Sequence, residues 1–159
     1  MHALVVICHP NPDSFTHAMA ASAVAGLERA GHAVSTLDLY AIGFQPVMTA
    51  ADHAAYHSAN PVVDPLVEQS IAAVRAAEML VFVYPTWWSS LPAMLKGWLE
   101  KTMLPGVAFV FNDAGKVRPG LGKVRRIVGI SAYGSPWLYV RGTYDNGRRT
   151  LLRALRLNT

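Results

Sequence analysis

Three short stretches hold the residues whose types and spacing could do chemistry. The first, His9-Pro10-Asn11-Pro12-Asp13-Ser14-Phe15, runs straight into a helix-forming segment. The free N–H groups and positive dipole end of such a helix suit a phosphate, and Asn11, Ser14 and His17 add side-chain donors. The second, Tyr84-Pro85-Thr86-Trp87-Trp88-Ser89-Ser90-Leu91-Pro92, places two adjacent tryptophans between two prolines. Pro85 and Pro92 stiffen its backbone, so its N–H groups can be held against a flat ligand while the tryptophans form apolar walls. Trp87 and Trp88 could equally be core or interface residues, as buried aromatics most often are, and this loop alone leaves both readings open. The third, Ser131-Ala132-Tyr133-Gly134-Ser135-Pro136 continuing to Tyr139, is rich in small and aromatic residues and suits a planar ring.

The elements that must position these stretches are legible from periodicity. Ala3 to Cys8, Val34 to Leu39, Met79 to Val83 and Val124 to Ile130 read as strands, the third as an apolar run buried on both faces. Helices are expected over Phe15 to Ala30, stopped by Gly31, and after Asp64-Pro65, a capping carboxylate followed by proline. A short helix is expected near Ala50 to His57 and a final one over Tyr144 to Leu157. The helix after the tryptophans carries Leu91, Leu95, Trp98, Leu99 and Met103 on one face. Ser90 is expected to cap it and Pro105-Gly106 to end it. Asn112 to Lys123 reads as an exposed, basic excursion. Strands alternating with helices imply an α/β domain over residues 1–159: a doubly wound parallel sheet with helices on both faces. No fifth strand follows the last helix, so the sheet is expected to lack its last edge strand or to have that edge covered by a partner. Each of the three stretches then follows a strand at its carboxyl end, where open parallel sheets bind ligands.

Composition bounds the reading. With 159 residues, 52% hydrophobic and 15% charged, the chain can bury one sizeable core and is not a disordered segment. No apolar run approaches the roughly eighteen residues that span a bilayer, and Ala3 to Ile7 begins without a basic leader, so no signal peptide is expected. A lone Cys8 makes no internal disulfide; it fits a cytoplasmic setting and reads as a small buried hydrophobe. The net charge of +4 gathers late, near Lys116 to Arg126 and Arg141 to Arg156. Solvated charge is the commonest meaning of such a run, then anionic small-molecule binding; nucleic-acid binding is the least favoured class.

Several familiar signatures fail. Gly120 and Gly122 are followed by Arg125 where a dinucleotide fingerprint needs its third glycine. Gly122-Lys123 is followed by Val124 and has Val117 where a nucleotide phosphate loop needs glycine. Gly129-Ile130-Ser131-Ala132-Tyr133 lacks the closing glycine of a nucleophile elbow. His53 and His57 have helical metal-ligand spacing, but no third ligand stands out and a solvated pair is favoured, so no metal is expected.

A phosphate seat beside a stacking slot describes a flavin nucleotide site. The residues that carry it also carry a resemblance: His9-Pro10 with Ser14-Phe15, the run from Tyr84 through Pro85-Thr86-Trp87-Trp88 to Lys96-Gly97-Trp98, and Pro105-Gly106-Val107-Ala108-Phe109. Over nearly its whole length the chain resembles the flavodoxin-like NAD(P)H:quinone oxidoreductases. That family includes the DT-diaphorases, their bacterial relatives and the ancillary flavoproteins of potassium efflux systems.

The resemblance implies FAD or FMN as cofactor, NAD(P)H as co-substrate and a quinone-like acceptor, with a two-electron hydride transfer through flavin N5. It implies that His9, Asn11, Ser14 and Phe15 hold the flavin phosphate and ribityl chain. Pro85, Thr86, Trp87 and Trp88 would line the ring, and Ser131, Ala132, Tyr133 and Gly134 would close its other edge. Tyr139 falls at an active-site tyrosine of the family. Tyr144 falls near a position that is His in the diaphorases, and Ala132-Tyr133-Gly134 stands where relatives often have Thr-Gly-Gly. A homodimer with the site at its interface is implied, and the Trp98 and Met103 region is compatible with such a surface as well as with a core. Two rival roles are a regulatory flavoprotein subunit of a membrane transporter and a flavodoxin-type electron carrier; carriers tend to be acidic, which a +4 chain is not.

Overall fold

The computed structural model describes residues 1–56, 58, 61 and 64–159. Strands β1 (His2–Ile7), β2 (Ala33–Asp38), β3 (Met79–Pro85) and β6 (Arg126–Ala132) form one parallel sheet in the order β2-β1-β3-β6. Composition explains the order. All seven residues of β3 and five of the six in β1 are buried, so these apolar strands take the centre. β2 buries only Leu37 and β6 carries exposed Arg126, Val128 and Gly129, so these lie outside. Val5 of β1 pairs with Val81 of β3, which pairs with Val128 of β6.

Alternation along the central strands supplies two cores. Ala3, Val5, Ile7, Val81 and Val83 face Ala20, Met19, Val24 and Leu27 of α1 (Phe15–Arg29). Leu4, Val6, Cys8, Leu80, Phe82 and Tyr84 face the other way, against α3 (Pro65–Ala76) and α4 (Ala93–Thr102). The first layer is closed at Gly31, whose φ of +76° lets the chain turn back into β2. Asp64 caps α3 through the Leu66 N–H, with Pro65 at the first helical position, as its sequence demands. A short helix α2 (Ala50–Ala55) opens on a Thr49–Asp52 capping box. Buried Lys101 of α4 binds Asp52 at 3.2 Å and Asp64 at 3.8 Å, tying both helix starts to the second layer. Asp52 is thereby held below the usual carboxylate range: burial pulls it upward, and the bonds from Thr49 and Lys101 outweigh that pull.

The structure corrects several expectations. Ser90 does not cap α4: Pro92 occupies that position without a side-chain cap, and the Ser90 N–H donates to the Trp87 carbonyl. Trp98 is wholly buried and donates from Nε1 to Ser70 Oγ at 3.0 Å, so it is core and offers no dimer surface. The excursion expected over Asn112 to Lys123 instead supplies the turn and second strand of an antiparallel hairpin, β4 (Phe109–Phe111) with β5 (Val117–Pro119). β6 extends two residues further than expected, so Ser131 and Ala132 belong to the strand. The third loop holds a helical turn, α5 (Trp137–Gly142), and the final helix starts at α6 (Asn146–Arg149) before passing through a π turn (Thr150–Ala154) into a 3-10 turn (Leu155–Asn158). His53 sits on α2, while His57 lies outside the described residues. Among the described residues no cluster of three His, Cys, Asp or Glu could hold a metal ion. Among them, too, no helix is long and apolar enough to cross a membrane.

Candidate active site

The first loop folds upon itself. Asn11 Oδ1 accepts from the Asp13 N–H at 2.9 Å, the Asn11 carbonyl accepts from the Ser14 N–H at 3.2 Å, and the Asn11 N–H donates to His9 Nδ1 at 3.1 Å. The loop thereby presents the first turn of α1, whose Phe15 and Thr16 N–H groups find no acceptor among the described residues. Ser14 is its N-cap, accepting the His17 N–H at 3.3 Å. A relay stands behind the cap: Ser14 Oγ lies 3.0 Å from His17 Nδ1, and His17 Nε2 lies 2.8 Å from Asp38 Oδ2. Asp38 Oδ1 accepts from the Tyr40 and Ala41 N–H groups, so the carboxylate is fixed at the end of β2 with one oxygen turned to the imidazole. With Asp38 ionised, Nε2–H donates to it, and Nδ1 is left to accept from the Ser14 hydroxyl.

The second loop is a tight reversal. The Trp87 N–H donates to the Ser90 carbonyl at 3.2 Å and Ser90 returns the bond at 3.0 Å, with Trp88 at φ 48° and Ser89 at φ 56°. Two successive positive φ values define a type I′ turn, which favours Asn-Gly and is costly for tryptophan and serine. The turn points the Trp88 side chain into solvent, fully exposed, and leaves the N–H groups of Trp88 and Ser89 without an acceptor among the described residues. The Trp87 ring lies 6.0 Å from the His9 ring, so the first and second loops share a wall.

The third loop joins from β6. Thr86 Oγ1 is 2.6 Å from Ser131 Oγ, and the Thr86 N–H donates to the Ala132 carbonyl at 2.9 Å. Tyr133 donates its hydroxyl to Asp145 Oδ2 at 2.7 Å, Asp145 Oδ1 caps α6 through the Arg148 N–H, and the Asn146 N–H reaches the Ser89 carbonyl at 3.2 Å. Burial first, and then the Asp145 carboxylate, raises the Tyr133 hydroxyl above the ordinary phenol value, so it stays protonated at neutral pH. These bonds enclose a slot of about 230 Å³ lined by Thr86, Trp88, Tyr133, Gly134, Tyr139 and Asp145 among others.

Of the residues singled out from sequence, Thr86, Trp88, Tyr133, Gly134 and Tyr139 therefore line one slot. His9 and Trp87 meet each other through their rings and are not among its lining residues, and Ser131 supports it through Thr86. Pro85 and Ala132 end their strands, paired in register beneath the slot, with Pro85 buried. Phe15 is largely exposed beside the phosphate seat. Tyr144 is placed elsewhere: it lines the neighbouring cleft, its ring 4.6 Å from the Arg149 guanidinium carbon. Asp145, Thr143 and Val140 line the slot and were not singled out. The signal for Asp145 was present in Asp145-Asn146-Gly147, a turn-forming run whose first residue takes a left-handed φ of 44°.

The donor set fits a flavin nucleotide: orphan helix N–H groups with a serine cap for the phosphate, an aromatic-walled slot for the ring, and unpaired turn N–H groups at its edge. Comparison with known proteins points the same way. The family described as Flavodoxin-like fold matches residues 1–158. The human ribosyldihydronicotinamide dehydrogenase [quinone] is 30% identical over 98% of this chain and 74% of its own. NAD(P)H dehydrogenase [quinone] 1 of Cavia porcellus is 30% identical over 86% of this chain and 55% of its own, so the chain spans about half the length of that relative. Among solved structures, the NAD(P)H:quinone oxidoreductase from Methanothermobacter marburgensis superposes with a TM-score of 0.86 at 23% identity, over 99% of this chain and 82% of its own. The chain belongs to the flavodoxin-like quinone oxidoreductase family.

Proposed function

We propose that this chain is a flavin-dependent NAD(P)H:quinone oxidoreductase. The observation that carries the reading is the enclosure of one aromatic-walled slot by the loops after β3 and β6, with a helix-capped phosphate seat after β1, the strand beside β3. Bound FMN or FAD supplies the two-electron hydride chemistry between NAD(P)H and a quinone-type acceptor. The chain's own residues do the rest. The Phe15 and Thr16 N–H groups hold the phosphate, together with His9 and Asn11, while Ser14, its hydroxyl turned to His17, shapes the seat as the N-cap of α1. Trp88 walls the ring, with Trp87 packed behind it against His9, and the unpaired N–H groups of Trp88 and Ser89 lie at the turn where negative charge on a reduced ring is best stabilised. Tyr139, half exposed at the slot, positions the acceptor by donating to its oxygen. Tyr133, neutral and tied to Asp145, closes the slot without changing charge.

The test is a visible spectrum of the purified protein, before and after anaerobic NADPH, then after a quinone. Flavin peaks that bleach with NADPH and return with the quinone support the reading. A protein that takes up neither FMN nor FAD, or whose flavin NADPH leaves oxidised, would sink it. We further propose a homodimer in the cytoplasm, which sedimentation and cell fractionation check.

A further inference from the structure

Beside the slot lies a larger cleft of about 870 Å³, and the two share Tyr133, Ser135, Val140 and Asp145 as common walls. Its far side is set by Arg141, Arg148, Arg149 and Arg153. Residues 141–156 hold five arginines against one aspartate, a segment charge of +4 that equals the net charge of the entire chain; the remainder is balanced. Among the described residues none of the four cleft arginines has a carboxylate within 4.0 Å. The lone aspartate, Asp145, is engaged by the Tyr133 hydroxyl and the Arg148 N–H.

Two of the guanidiniums are held by aromatic faces. Arg141 lies 5.3 Å from the Trp137 ring centre and Arg149 4.6 Å from that of Tyr144. Stacking of this kind orients the planar fork while leaving its N–H edges free, the condition for bidentate binding of a phosphate. Arg149 and Arg153 stand one turn apart with no acid between them, a mild like-charge repulsion that an anion bound between the two would relieve. The cleft adjoins β6, whereas the phosphate seat follows β1, with β3 between them. A nucleotide tail hanging from the flavin phosphate starts two strands from the cleft and would have to cross the slot to reach it. A molecule whose flat ring enters the slot from the β6 side has its tail in the cleft.

We propose that this cleft seats the phosphorylated adenosine arm of the reduced nicotinamide dinucleotide, and that its arginines make the 2′-phosphorylated form the preferred reductant. The inference rests on the oxidoreductase reading for the ring, but the arm can be tested alone. Adenosine 2′,5′-bisphosphate titrated into the protein is expected to bind saturably and more tightly than adenosine 5′-monophosphate. The Arg149→Ala/Arg153→Ala variant is expected to weaken the bisphosphate about tenfold, and Lys116→Ala/Arg118→Ala on the hairpin to leave it unchanged. In turnover, the double cleft variant should raise KM for NADPH more than KM for NADH. N-ribosyldihydronicotinamide, which lacks the arm, reads the slot alone. Equal bisphosphate affinity in the native and Arg149→Ala/Arg153→Ala proteins overturns the proposal. So does a variant that loses FAD but keeps FMN, which would hand the cleft to the flavin's own tail. Failure to take up flavin or to oxidise any reductant overturns the oxidoreductase reading instead, and with it the assignment of the arm to a reductant.

Discussion

At Trp88 and Ser89 the backbone adopts a conformation for which neither residue is suited. Strain retained at a ligand-binding turn is commonly offset by the surrounding structure, and here the bonds to Ser90, Trp87 and Asn146 hold it. Ser89→Val, which puts a branched side chain at positive φ, is expected to lower stability by about 1–2 kcal/mol relative to Ser89→Gly in denaturant titrations. A smaller gap would mean that the turn relaxes. The relay behind Ser14 makes a second residue-level prediction. Asp38→Asn keeps an oxygen for the Tyr40 and Ala41 N–H groups but replaces the acceptor that fixes the His17 tautomer. FMN affinity, measured by fluorescence quenching, is expected to fall about tenfold with the fold unchanged by circular dichroism. Unaltered affinity would remove the relay from the phosphate seat.

At the scale of elements, α4 shows why a glycine stands inside a helix. A Cβ on Gly97 would lie 2.2 Å from the Pro46 carbonyl oxygen and 2.6 Å from Pro46 Cβ, so the β2–α2 connection presses directly on the helix backbone. Gly97→Ala is expected to cost about 1–3 kcal/mol despite alanine's better helix propensity, read as a lower unfolding midpoint. Sequence periodicity located the four parallel strands and the first three long helices, because their burial patterns repeat with the period of the element. It placed the site at three strand ends for the same reason. The α5 turn and the β4–β5 hairpin escaped because they are mostly solvent-facing and short, and such segments carry no hydrophobic period. Ser90 was mistaken for a cap because a serine before an apolar run is the usual signal; it closes the Trp87 turn instead, and α4 starts only after Pro92. Trp98 could not be assigned to core or surface from spacing alone, and its burial against Phe82 and Ser70 decides it.

For the whole molecule, Cys8 reports on integrity. It is fully buried at the end of β1, and burial, the largest influence, pushes its thiol from 9.0 up to about 12. A proton held more tightly in the folded state stabilises it fully below pH 9.0, and that contribution is lost as pH rises toward about 12. Stability is therefore expected to decline with alkali over that window, and Cys8→Ala, less stable at neutral pH, should decline less steeply. Alkylation of Cys8 at neutral pH should proceed only as fast as the sheet opens, with iodoacetamide labelling and global unfolding sharing one denaturant dependence.

The four tryptophans are graded in exposure from Trp98, at 0%, through Trp87 at 42% and Trp137 at 66%, to Trp88 at 100%. Three of them lie at the end of the sheet that carries the candidate site and one is sealed in the interior. The protein thus carries its own optical probe: ultraviolet emission is dominated by wet, quencher-accessible indoles at the site, over a dry interior reference. Acrylamide should extinguish the red part of the emission and spare the blue. A yellow chromophore docking among the three outer indoles should dim the same red component by energy transfer, so occupancy is readable without labels, before any turnover is measured.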